Sequence, residues 1–295
     1  MIRMQKNLPN IAVLLAAYNG SSYLEDQLES ILRQSGVELS IYISIDLSSD
    51  ASYQLCCAFA ERHPQVRILD YGQKFGGAAA NFYRLIREVD FSAFDYVALA
   101  DQDDIWLDDK LFSACEKLKQ GNYAAYSGNV LAFWPDGRET IINKALPQRK
   151  SDYLFEAAGP GCTYVLSSEP MLEFKKILIS HSQQVQQVSL HDWFIYAFFR
   201  ARGLAWFIDP EYKLLYRQHA KNQVGIHKGW QASAKRLQLL RNGGCKQQVF
   251  CVADLIDEDH LNVHSRMAIL KNIRHLRRRF RDRCILFCIA LIGLY

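Results

Sequence analysis

The sequence predicts an α/β fold: a doubly wound, mostly parallel sheet followed by a helical C-terminal appendage. Three observations carry the prediction. Short apolar, β-rich runs recur at "IAVLLAA" (11–17), "LSIYISI" (39–45), "VRIL" (66–69) and "YVALA" (96–100). A helical pattern follows each run, and polar residues gather just past the runs' ends. Continuous rather than alternating apolar runs suit strands covered on both faces, and strand–helix alternation sets successive strands parallel.

Ser21 or Ser22 is placed to cap "YLEDQLESILRQ", where Leu24, Leu28, Ile31 and Leu32 share one helical face. Asp50 can start a second helix running through Phe59. After the fourth run, Asp108 and Asp109 favour the N-terminus of a helix that continues through Lys110 and Leu111. Pro135, Gly137, Pro147, Gly159 and Pro160 then break the pattern, and a mixed region extends to about residue 222. Residues 229–241, 246–258 and 261–281 read as helices punctuated by Gly243 and Gly244. The expected organisation is a main domain over 1–225 and a helical region over 226–295.

With 295 residues, 49% of them hydrophobic and 22% charged, the chain can bury a large core and is not compositionally disordered. The net charge of +4 is uneven: "KNIRHLRRRFRDR" (271–283) carries +6, which leaves −2 over the rest. The eight cysteines form no CxxC pair, and no signal-peptide pattern opens the chain, so reduced cytosol fits better than a disulfide framework or a zinc site. "CILFCIALIGLY" (284–295) is uncharged, but its 12 residues fall short of the roughly 20 that a spanning helix needs. Next to the basic run it predicts a peripheral anchor on the anionic inner face of the cell membrane, with a core or homodimer helix as the alternative. A nucleic-acid role is disfavoured because no aromatic platform accompanies the arginines.

In a parallel α/β sheet, ligands bind beyond the carboxyl ends of the strands. Tyr18 and Asn19 follow the first run, Asp46 ends the second, and Asp101 to Asp104 follow the fourth. These groups would line one crevice, and the crowded carboxylates imply a compensating cation or a solvated turn.

The ordered set "AAYNG" (16–20), "SIDLSSD" (44–50), "FGGAAANF" (75–82), "ADQDDIW" (100–106), "HDW" (191–193) and "YRQHAKN" (216–222) resembles family 2 glycosyltransferases of the GT-A fold, most of all their bacterial rhamnosyltransferase-like branch. The resemblance implies inverting transfer of rhamnose or another hexose or deoxyhexose from a dTDP- or UDP-sugar. The acceptor would be a lipid-linked or cell-surface glycan, as in O-antigen, capsule or exopolysaccharide synthesis. Asp101-Gln102-Asp103 takes the place of the family's DxD element, with Asp103 as metal ligand, His219 completing the metal shell, and Asp101 contacting ribose or metal-bound water. Such ligands favour Mg²⁺ or Mn²⁺ over zinc.

By the same comparison Ala17, Tyr18, Asn19, Asp46, Gly76, Asn81, Gln102 and Arg217 bind the donor. Asp46 would accept a hydrogen bond from a pyrimidine N–H, and Arg217 would pair with phosphate. Asn222 falls in the same closing loop as Arg217 and His219. Asp192 takes the place of the catalytic base, and Gly161, Cys162, His191 and Trp193 lie toward the acceptor. The chain departs from the family where Ile45-Asp46-Leu47-Ser48 stands in place of Asp-Asp-Gly-Ser. That departure motivates an alternative, a catalytically inert nucleotide-sugar-binding subunit. A dehydrogenase is disfavoured because Gly20 stands alone without G-x-G-x-x-G. A processive synthase is disfavoured because no spanning helices are visible.

Overall fold

The computed structural model describes residues 8–219, 244–257 and 260–293. The helix expected over 229–241, the domain boundary near 225 and Asn222 lie outside the described residues.

The chain opens with β1 (Asn10–Ala17), α1 (Leu24–Leu32), β2 (Glu38–Ile45), α2 (Ser52–Arg62), β3 (Val66–Ile68), α3 (Ala78–Glu88) and β4 (Tyr96–Asp101). The strands lie in the order β3-β2-β1-β4 and are all parallel, as the apolar runs predict. Successive residues of β1 explain the continuous run. Ala12, Leu14 and Ala16 enter a core shared with Phe82 and Phe194, while Ile11, Val13 and Leu15 enter a second core with Leu28 and Phe59 on the other face.

Next come β5 (Ile105–Trp106), α4 (Lys110–Gly121), β6 (Ala125–Phe133), β7 (Glu139–Ile142) and, after two single 3₁₀ turns, β8 (Val165–Ser167). Then follow α5 (Ser168–Ser180), α6 (Ser182–Val185), α7 (His191–Ala201) and β9 (Trp206–Arg217). The sheet is mixed beyond β4: β8 pairs antiparallel with both β4 and β6, and β9 runs parallel to β6. At its end β9 turns onto β5, pairing Leu215 with Ile105. That pairing carries residues 217–219 to the carboxyl end of β4.

The C-terminal elements are α8 (Gly244–Leu255), α9 (Arg266–Asn272) and α10 (Phe280–Leu291). Val252, Ile269, Leu276, Leu286 and Ala290 join the same apolar core as Trp193 and Phe199. Among the described residues no helix is long and apolar enough to cross a membrane.

Two local expectations are corrected. No serine side chain caps α1; the amides of Tyr23 and Leu24 donate to the Gly20 carbonyl at 2.9 and 3.0 Å, and the Ser21 amide is drawn to Asp50 Oδ2 at 3.0 Å. The helix expected over 261–281 is broken. After α9 and a 3₁₀ turn at Ile273–His275, the backbone opens by Arg279 (ψ 134°) before α10 begins.

The break has a tertiary cause, because three consecutive arginines leave the helix to grip a distant loop. Arg277 donates to the Phe155 carbonyl, Arg278 to those of Ala157 and Ala158, and Arg279 to that of Asn143. Arg278 is buried, its Nε 3.2 Å from Glu156 and 3.6 Å from Asp152. Arg278 of the basic run is therefore spent inside the molecule, while Arg274, Arg279 and Arg281 remain at the surface.

Candidate active site

The loops beyond the carboxyl ends of β1, β2 and β3 are stitched to one another. The Asp46 carboxylate accepts three backbone N–H groups, from Leu47 (2.8 Å), Phe75 (2.8 Å) and Gly76 (2.9 Å). Gly76 has φ 85°, a left-handed conformation that side chains resist. Three donors on one carboxylate fix the loop between β3 and α3 against the end of β2, leaving lone-pair capacity for one further donor.

Asn81 reaches back from α3, its Nδ2 donating to the carbonyls of Ala17 (3.3 Å) and Ser44 (3.0 Å). Ala17 thus contributes its carbonyl, while its side chain is buried in the core. Where the chain lacks the family's glycine, a serine network sets the loop's shape. Ser48 Oγ accepts from the Asn19 amide at 3.0 Å, Asn19 Oδ1 accepts from the Ser49 amide at 2.8 Å, and Ser52 Oγ accepts from the Gly20 amide at 2.8 Å. Asn19 itself sits at φ 45°, which asparagine tolerates better than most residues.

Gln102 is a brace. Its Oε1 accepts from the Tyr18 amide at 2.7 Å and its Nε2 donates to the Tyr18 carbonyl at 2.9 Å, tying the acidic loop to the end of β1. A Cβ on Gly20 would lie 2.2 Å from Gln102 Oε1, so the glycine exists for this approach. The Tyr18 ring is left 49% exposed at the crevice mouth.

The acidic cluster is assembled from opposite ends of the domain. His219 Nε2 lies 2.7 Å from Asp103 Oδ2, and its ring stacks on Tyr23 with centroids 4.8 Å apart. Arg217 donates from Nε to the Asp103 carbonyl (3.0 Å), from a terminal nitrogen to Asp26 (2.9 Å), and from its amide to Asp104 Oδ1 (3.3 Å). Behind them Asp104 is fully buried, and ligand atoms of Asp101, Asp104 and Cys162 lie within 4.8 Å of one another. Burial, then the charge of Asp103, pushes Asp101 up to about 7 and Asp104 well above the carboxylate range, with the Cys162 hydrogen bond opposing both. Cys162 is likewise pushed up by burial and then by the charges of Asp104 and Asp101, so its thiol stays protonated. Lys110 Nζ, buried 3.5 Å above the Trp106 ring, is pulled down by burial to about 7.

Across the crevice, α7 begins with His191 and Asp192. Asp192 Oδ1 accepts from the Trp193 amide at 2.7 Å, and burial pushes the carboxyl up to about 6 against that hydrogen bond and the charge of Lys144. Its charge also helps hold Asp101 up, so the two acids share one electrostatic environment. The His191 ring stacks on Phe82 at 4.0 Å, its Nε2 has no hydrogen-bond partner, and burial lowers it to about 3, which keeps it neutral. Gly161 fits against this pair because a Cβ there would lie 2.8 Å from His191 Nε2 and 3.2 Å from Asp192 Cβ. Trp193 turns inward; its indole N–H is taken by the Tyr153 carbonyl at 2.7 Å.

The structure therefore brings together Tyr18, Asn19, Asp46, Gly76, Asp101, Gln102, Asp103, Arg217 and His219 at one sheet edge, with Gly161, Cys162, His191 and Asp192 adjoining. Ala17 and Asn81 act from below as supports, and Trp193 belongs to the core. Asp104, legible in sequence only as one of the crowded carboxylates, and Lys110, legible only as part of α4, are buried groups of the site. Ser48 and Ser52 take loop-shaping roles whose only sequence signal is the Ser/Asp-rich stretch after β2.

The family model for glycosyl transferase family 2 matches residues 12–165. The dTDP-rhamnosyl transferase RfbG of Shigella flexneri is 41% identical over 289 residues, covering 95% of this chain and 100% of RfbG. Among solved structures, S. aureus TarS (residues 1–349) in complex with UDP-GlcNAc superposes with TM-score 0.55 at 11% identity, covering 97% of this chain and 80% of that one. The mannosyltransferase PcManGT from Pyrobaculum calidifontis, in complex with GDP-Man and Mn²⁺, gives TM-score 0.53 at 16% identity, covering 98% and 82%. The fold is thus GT-A-like, and the chain is a glycosyltransferase belonging to glycosyl transferase family 2.

Proposed function

We propose that this enzyme transfers rhamnose from dTDP-rhamnose, with inversion, onto a lipid-linked glycan at the inner face of the cell membrane. The observation that supports the reading is the placement of Asp192 at the start of α7, packed against Gly161, which directly precedes Cys162 of the acidic cluster; burial there leaves its carboxyl raised, to about 6. The likeness to RfbG over nearly the whole chain supports the donor. The exposed Tyr18 ring offers a stacking face for the base, and Asp46 has one lone-pair site left for the thymine N–H.

The residues fit a divalent cation. Asp101 and Asp104, both pushed above their ordinary range, cluster with Cys162, and Asp103 with His219 adjoins them; Lys110, which feels the charge of Asp104, is itself pulled down by burial to about 7, and the donors are mainly oxygen. Asp103 and His219 would hold Mg²⁺ or Mn²⁺, with Asp101 alongside. Bound there, the ion supplies charge stabilisation for the departing diphosphate.

The chain's own residues do the rest. Asp192, as carboxylate, takes the proton from the acceptor hydroxyl, whose oxygen forms the new bond to the anomeric carbon. The bond to the diphosphate breaks with its electron pair remaining on the phosphate oxygen. Entry opposite the leaving group inverts the centre. Neutral His191, packed under Gly161 and Asp192, adds no charge beside the base, while Arg217, held by the Asp103 carbonyl and Asp26, sets its positive charge next to the acidic loop where a phosphate would lie.

Incubating the protein with Mn²⁺ and dTDP-rhamnose, UDP-GlcNAc or GDP-mannose in turn, and measuring nucleotide release and thermal stabilisation, tests the reading. Preference for dTDP-rhamnose in both supports it. Preference for a purine nucleotide, or binding with no release under any condition, overturns it and favours the inert binding subunit.

A further inference from the structure

The outer side of α10 carries large apolar side chains at the surface: Phe280 is 73% and Ile292 69% exposed, with Ile285, Phe287 and Leu291 beside them. Between α10 and the catalytic domain this surface forms a groove of about 580 Å³. Ile273, Phe280 and Phe287 floor it, and Arg149, Arg274 and Arg283 rim it; among the described residues no acid lines it. Arg283 lies over the Phe280 ring at 5.6 Å, and the acid on the same helix, Asp282, faces Arg281 at 3.4 Å. Among the described residues none of the three rim arginines has a carboxylate partner.

An apolar floor under a cationic rim selects an amphiphile with an anionic head. A second copy of the chain fits poorly, since a two-fold interface would set the three arginines against their own equivalents without a single acid between them. A bilayer fits well: guanidinium forks bind phosphate oxygens, and aromatic side chains settle at the headgroup boundary. We propose that this groove seats an anionic phospholipid of the membrane surface, its phosphate among Arg149, Arg274 and Arg283 and its upper acyl chain along Phe280 and Phe287.

The proposal rests on the peripheral-membrane reading and deepens it by naming the site. It also fixes an orientation, because Arg149 belongs to the catalytic domain. Its amide donates to Asp152 at 3.1 Å and its carbonyl accepts from Arg200 at 3.0 Å, in the loop that the C-terminal arginines grip and that leads to Gly161. Lipid bound there would hold the acceptor end of the crevice toward the bilayer.

Co-sedimentation of the full chain with vesicles of phosphatidylcholine, with and without phosphatidylglycerol, tests this. Binding should require phosphatidylglycerol. Arg149→Gln and Arg283→Gln should each weaken it about fivefold. Arg149→Lys should weaken it less, and Arg62→Gln, an equal charge loss on α2 across the sheet, should leave it unchanged. Phe280→Ser with Phe287→Ser should remove the bound fraction that survives high salt, since salt screens charge and leaves burial intact. Unchanged melting temperatures would show that the variants fold. If the vesicles bind but Arg149→Gln and Arg62→Gln weaken binding equally, the membrane reading stands and the groove is wrong. If no vesicle binds, both are wrong, and a dimer broken by Phe287→Ser would give this face to a second copy.

Discussion

The two sides of the crevice are built differently. The side proposed to hold the donor is local: β1, β2 and β4 deliver Tyr18, Asp46 and Asp101 to one edge, and each loop begins where its strand ends. The side proposed to hold the acceptor is gathered from afar. Gly161 follows a loop clamped by arginines more than a hundred residues away, and Asp192 heads a helix whose Trp193 pins that same loop through Tyr153. A parallel sheet brings polar loop residues to one edge by its topology alone, whereas the placement of Gly161 and Asp192 depends on tertiary contacts.

The two sides should therefore fail in different ways. Asp103→Ala should cut transfer by about 10³-fold or more and abolish stabilisation by nucleotide plus Mn²⁺, while the metal-free melting temperature stays near wild type. Activity near wild type would remove Asp103 from the site. On the acceptor side, Arg278→Ala strips a buried guanidinium from Asp152 and Glu156, and breaking such pairs costs about 3–5 kcal/mol. Chemical denaturation should register that loss, and a change of less than about 1 kcal/mol would mean the strap is not structural.

A finer probe is Gly161→Ala. The new methyl would press on His191 Nε2 and Asp192, so turnover should fall by up to about 10²-fold with donor affinity kept. A change in the nucleotide dissociation constant instead would place Gly161 on the donor side. The smallest effect expected is in the pH profile. Asp192 must be ionised to accept a proton and burial raises it to about 6, so kcat/KM should fall as pH drops through about 6 rather than through the usual carboxylate range. The acid limb should vanish in an Asp192→Asn variant's residual activity.

The same division governs what the sequence reveals. All four parallel strands stand where the apolar runs place them, because burial on both faces leaves a continuous run, and "ADQDDIW" is legible because its strand directly precedes it. The mixed half of the sheet left no such mark: β8, antiparallel to both β4 and β6, has only three residues. "HDW" is readable by resemblance, since residues at a helix start look the same whether they cap or catalyse. The break between α9 and α10 is invisible to periodicity. Arg278 belongs to a helical pattern in sequence and leaves it only for Glu156, 122 positions away. The burial of Asp104 is hidden for the same reason: what covers it arrives from Cys162 and the end of β9.

The measurement that tests the account most directly sets Asp192→Asn beside wild type, reading thermal stabilisation by dTDP-rhamnose with Mn²⁺ and rhamnosyl transfer in the same preparation. Asparagine keeps the side chain's size and its acceptor oxygen for the Trp193 amide but cannot take a proton. If Asp192 is the base, donor stabilisation stays undiminished while turnover falls by about 10²-fold or more. Parallel loss of both, or turnover left near wild type, would contradict it.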